Sequence, residues 1–83
     1  MSENRYYWGV VLEVLSDWSG HTREELHEAF RQMFLGYEEN GIKYAKSTAD
    51  LTTVEMERYL EDIRTWAALH EIYVPLPGEA TTD

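Results

Sequence analysis

Glu24, His27 and Glu28 fall on one face of any helix through them, and Glu-x-x-His is a spacing that can hold a metal ion. In carboxylate di-metal bundles that motif occurs twice, with a Glu from each of two further helices. This chain has one copy, and His21 and His70 lack metal-ligand spacing. With no cysteine there is neither a thiolate ligand nor a thiol nucleophile. We assign no metal and read the Glu24–Glu28 face as a solvated charged surface beside Arg31. A nucleophile would have to be Ser, Thr, Lys or a carboxylate. No Gly-x-Ser-x-Gly, phosphate-cradling glycine loop or paired-Asp motif is present. Ser47-Thr48-Ala49-Asp50 has the chemistry of a turn and a helix entry. The chain is expected to be non-enzymatic, with no catalytic residue and no cofactor.

Charge and aromatics carry more information. Sixteen carboxylates face seven Lys and Arg, a formal charge of −9. Such a chain is a poor non-specific binder of DNA unless its few cations cluster, because phosphate affinity comes from cations that displace counterions. Anionic membranes are disfavoured for the same reason. Such a composition points to basic protein partners or to simple solubility. Tyr6, Tyr7 and Trp8 are consecutive, so a helix cannot bury all three against one partner face; at least one is expected at the surface or in an interface. Bases stack on such rings without regard to sequence. Arg5, Tyr6, Trp8, Lys43 and Lys46 are therefore the candidate contacts to a single strand, cations to phosphate and rings to bases. The competing surface, for a basic protein partner, is Glu24, Glu28, Glu57, Glu61 and Asp62 on outward helix faces.

The elements that must position these groups can be read from periodicity and punctuation. A chain of 83 residues fits one domain, taken as 1–78, with 79–83 expected to fray. The first helix is predicted from about Glu3 to Trp18, with Tyr7, Val11, Val14, Leu15 and Trp18 on its buried stripe. Gly9 weakens it, or lets another backbone come close, and Gly20 suits a left-handed stop. Thr22 and Glu25 form a capping box for a second helix carrying Leu26, Ala29, Phe30, Met33 and Phe34, with Gly36 as its stop. Asn40-Gly41 is the favoured pair for a type I′ turn between Tyr37 and the Ile42–Tyr44 run. Thr52 and Glu55 cap a third helix that ends near His70, with Arg58–Asp62 and Glu61–Arg64 at ion-pair spacing. Ile72 to Gly78 is apolar and extended, and should fold back over the helices. The expected fold is all-α: a compact three-helix bundle with a small β-hairpin or loop between helices 2 and 3. No apolar run approaches the roughly 20 residues that span a bilayer. The absence of cysteine fits a reducing cytoplasm. Two chains could pair through exposed aromatics, since small cores gain from oligomerisation.

The order of motifs is also informative. Asn4-Arg5-Tyr6-Tyr7-Trp8 opens a helix, and Ser47-Thr48-Ala49-Asp50-Leu51-Thr52-Thr53-Val54-Glu55-Met56 leads into the last long one. Over roughly residues 4–77 this resembles the helical part of the NinB (Orf) recombination proteins of tailed phages, without the family's N-terminal β-rich portion. The resemblance implies a phage-type accessory protein of recombination, in the host cytoplasm, that binds single-stranded DNA or recombination proteins, acts as a dimer and is not a nuclease.

Overall fold

In the computed structural model, which describes residues 2–79, the first helix begins where Ser2 Oγ accepts from the Arg5 amide at 3.2 Å. It runs unbroken over residues 3–19 (α1) but in three parts: α-helical Glu3–Tyr6, π-helical Tyr7–Val11 and α-helical Leu12–Ser19. In the π turn the Leu12 amide reaches back five residues to the Tyr7 carbonyl. Such a turn holds one residue more than an α-turn. The buried face therefore passes from Val14 and Trp18 to Leu12, Leu15 and Ser19. Leu12 and Leu15 are fully buried, whereas Trp18, expected inside, is 49% exposed. A Cβ added at Gly9 would meet nothing within 4 Å, so no second backbone approaches there. Gly20 ends α1 at φ +80°, the left-handed stop its position predicts.

The predicted capping boxes both form. Thr22 Oγ1 accepts from the Glu25 amide and Glu25 accepts from the Thr22 amide, opening α2, Arg23–Phe34. Thr52 and Glu55 do the same for α3, Thr53–Leu69. The stripe of α2 is narrower than its spacing suggests: Leu26 and Phe30 are buried, while Ala29 and Met33 face out. The α3 stripe of Met56, Tyr59, Leu60, Ile63 and Ala67 is buried, with Trp66 partly covered.

Between α2 and α3 the chain is not purely helical. Strands β1, Gly36–Glu39, and β2, Ile42–Ala45, pair antiparallel with Tyr37 opposite Tyr44 and Glu39 opposite Ile42. Asn40 and Gly41 take φ +54° and +77°, both positive as a type I′ turn requires. A 3-10 turn, Thr48–Asp50, then delivers the chain to α3.

Beyond α3, the Ile72 amide bonds back to the Ala67 carbonyl and the Glu71 amide to that of Ala68, a Schellman stop with Glu71 at φ +61°. The following segment folds back as expected: Val74 is buried, and the Pro75 carbonyl accepts from the Tyr6 hydroxyl at 2.6 Å. Of the tail expected to fray, residues 80–83 lie outside the described residues. Glu79 is inside them, and its carboxylate accepts from the Leu76 amide and the Tyr73 hydroxyl. The helices α1 and α3 run the same way, since Glu3 and Asn4 border Thr48–Met56 while Trp18 borders Trp66 and His70. The hairpin and the Trp18 cluster therefore sit at opposite ends of a body 44 × 27 × 21 Å.

Candidate functional site

The two neighbouring tyrosines of α1 are both buried because different neighbours cover them. Tyr6 is 1% exposed, closed over by the C-terminal segment and by Arg64, which donates to its hydroxyl at 3.2 Å. Arg64 thus turns to Tyr6 rather than to Glu61. Tyr7 points the other way, into the interface of all three helices. Its hydroxyl lies 2.7 Å from His27 Nδ1 and 2.8 Å from the Tyr59 hydroxyl. Burial, and then the bond to Tyr59, push the Tyr7 hydroxyl well above the usual phenol range. Burial raises Tyr59 to about 12. Neither becomes an anion at neutral pH, so the pair forms a neutral structural chain rather than a base. Burial and the nearby Arg31 charge hold His27 below its ordinary value, against a smaller opposing effect of Glu28. The Trp8 ring, half-covered, packs on His27 at 4.8 Å between centroids. This three-ring polar chain was missed in the sequence. Its signal was available: hydroxyl-bearing rings on two buried stripes need partners, and His27 is beside one of them.

The predicted single-strand contacts are not brought together. Tyr6 is inside the protein, and a base cannot reach its ring. Trp8 is partly covered and its outer neighbour is Arg23, which donates to the Trp8 carbonyl at 3.4 Å. Arg5 is on the first turn of α1 and makes no ion pair among the described residues. Lys43 is mid-strand opposite Glu38, and Lys46 Nζ lies 3.4 Å from Glu55. Of the predicted acidic surface, Glu24, Glu57 and Glu61 are exposed with no ion pair among the described residues. Glu28 is taken by Arg31 at 2.6 Å and half-buried Asp62 by Arg58 at 3.4 Å. Among the described residues no three His, Asp or Glu side chains gather in a way that could hold a metal ion. None of the described helices is long and apolar enough to cross a membrane.

The hairpin carries an exposed apolar face. Side chains alternate along a strand, so Tyr37, Ile42 and Tyr44 share one side. The two tyrosine rings stack across the strands at 5.4 Å and 21°, still 47% and 43% exposed. Two strands alone are marginal in water. Arg31 supplies the support: its guanidinium donates to the carbonyls of Ala45 and Lys46, each at 3.0 Å, and to Glu28. The Lys46 amide donates to the Leu35 carbonyl. Gly36 permits the close turn, since a Cβ there would stand 2.7 Å from the Gln32 carbonyl oxygen. A groove of about 470 Å³ separates the hairpin from the start of α3. Phe34, Leu35, Leu51 and Tyr59 line it together with the Lys46–Glu55 and Arg58–Asp62 pairs. The site offers stacked rings, an apolar floor and paired charges.

No protein-family model matches this chain, and no curated protein or solved structure does.

Proposed function

We propose that this chain is a non-enzymatic, acidic protein-binding module that docks on a basic surface of a host or phage protein. The observation that carries the reading is the Tyr37–Ile42–Tyr44 face, three large apolar side chains exposed together on a hairpin clamped by Arg31. Tyrosines are favoured anchors in interfaces because a large rigid ring is ordered at little entropic cost. The charge of −9 speeds encounter with a positive patch. Glu24, Glu57 and Glu61 supply that field from the helices. A second reading, the single-stranded DNA module suggested by the NinB resemblance, moves to the same hairpin. Its support is the exposed Tyr37–Tyr44 stack, since Lys43, paired with Glu38, is on the hairpin's other face.

The test pairs two assays on wild type and Tyr37→Ser/Tyr44→Ser. Affinity capture from host lysate at low salt should retain a basic protein that the double variant loses and salt releases. Equal capture by both proteins overturns the hairpin reading. Anisotropy of a labelled single-stranded oligonucleotide should stay flat. Binding that fades with salt, and that the double variant lacks, would put the DNA reading in its place.

A further inference from the structure

The end of the molecule away from the hairpin carries a second aromatic cluster. Trp18, Trp66 and His70 cluster there, with Trp18 on Trp66 at 6.2 Å and 79°, and Trp66 on His70 at 4.4 Å. Beside them opens a groove of about 520 Å³. Its apolar part is Leu15 and Leu26, its walls are the two indoles, and Ser19 and His21 form its polar side. The half-exposed Trp18 is the residue that the π turn of α1 rotates out of the core.

The charges around this groove have one sign. No Lys or Arg lines it. Asp17 adjoins Trp18 and Glu71 adjoins His70, both exposed and without an ion pair among the described residues. Glu25 lies 3.7 Å from His21 at the groove's polar side. Of the cations two residues from its lining, Arg23 is beside Glu13 at 3.7 Å and Arg64 donates to the Tyr6 hydroxyl. At the hairpin groove, by contrast, each lining carboxylate already has a cation.

We infer that the Trp18–Trp66 groove takes an arginine side chain of a basic protein partner. The methylene stem would lie over Leu15 and Leu26, and the guanidinium on an indole face, in the field of the exposed Asp17, Glu25 and Glu71 carboxylates. Trp gives the strongest cation–π contact, and arginine is its commonest partner. A guanidinium is also planar and weakly hydrated, so it stacks where an ammonium would stay in water. The inference rests on the reading of the chain as a module for a basic protein, and adds a contact independent of the hairpin.

The probe is a short peptide of alternating Arg and Gly, titrated into the full chain at low salt and followed by the indole N–H resonances. The Trp18 and Trp66 signals should move together. Trp18→Leu keeps apolar area but loses the π face, and should bind about tenfold more weakly. Should that variant fold poorly, Asp17→Asn/Glu71→Gln keeps both indoles and should also weaken binding. A Lys-Gly peptide of equal charge should bind less well than the Arg one. Unmoved indole signals, unchanged affinity in Trp18→Leu, or equal binding of the two peptides each overturns the inference. Tyr37→Ser/Tyr44→Ser should bind the Arg peptide as wild type does. Loss of the hairpin reading would therefore leave this result standing, and loss of this result would leave the hairpin assay untouched.

Discussion

Replacing Tyr7 by Phe removes a single oxygen from the interior, and the cost can be worked from its two neighbours. That oxygen is 2.8 Å from the Tyr59 hydroxyl and 2.7 Å from His27 Nδ1. Tyr59 is 1% exposed, so its orphaned hydroxyl cannot turn to water. An unsatisfied buried polar group costs about 1–3 kcal/mol. His27 is only half-buried and can rehydrate, which limits its share to the net worth of one bond, about 1 kcal/mol. Together these give a loss of about 2–4 kcal/mol. A domain of this size loses about 4–8 °C of Tm per kcal/mol, so the midpoint should fall by about 8 °C or more. Tyr59→Phe leaves Tyr7 its bond to His27 and should cost about 1 kcal/mol. In Tyr7→Phe/Tyr59→Phe no hydroxyl is orphaned, and the double variant should be more stable than the sum of the singles by about 1–2 kcal/mol. Urea unfolding followed by far-ultraviolet circular dichroism measures all four corners of this cycle. A Tyr7→Phe protein within about 0.5 kcal/mol of wild type, or an additive double variant, would refute the account of the buried chain.

Other expectations follow from the same geometry. His27 is held below its ordinary value of about 6.5, so the unfolded chain takes up its proton first as pH falls. The stability this gives is complete above that ordinary value and is lost as pH drops through the lower folded one; unfolding curves across mild acid should show it, and His27→Gln should flatten that part of the profile. Glu71 occupies a left-handed position at φ +61°, so Glu71→Gly should raise stability by about 1 kcal/mol, read as a higher Tm. Arg31→Met removes the charged donors that hold the Ala45 and Lys46 carbonyls, a loss of about 2–3 kcal/mol confined to the hairpin. Hydrogen exchange of the hairpin amides should then accelerate about thirty- to a hundred-and-fiftyfold, while the buried α3 amides keep their protection.

What could be read in advance was local. Each capping box joins a Thr to a Glu three residues on, and the type I′ turn depends on Asn40 and Gly41 alone, so four adjacent letters suffice. The helix boundaries and the hairpin follow from such signals. Burial of Tyr6 depends on Pro75 and Arg64, which are distant in the chain, and spacing within one helix cannot report that cover. Arg64 had a partner at ideal helical distance, Glu61, and took the remote hydroxyl instead; an exposed i,i+3 pair is worth only about 0.2–0.5 kcal/mol, so it is easily outbid. The exposed face of the hairpin was legible as strands but not as a site. Tyrosine is neither firmly an inside nor an outside residue, and its exposure here is set by how Arg31 and Gly36 seat the hairpin on α2.

The π turn of α1 separates two things that a helix normally ties together, the number of residues and the direction they face. In a uniform α-helix without Gly9, the positions following Tyr7 on the inner face would be filled by the present Leu12, Leu15 and Ser19, the same side chains that face inward now. The chain thus behaves as one that has absorbed an inserted residue without rewriting its interior. Removing Gly9 should leave the core intact and straighten the helix. Removing a residue between Leu12 and Leu15, where no slack remains, should turn every following side chain by one position, carrying Leu15 out of the interior and Ser16 into its place.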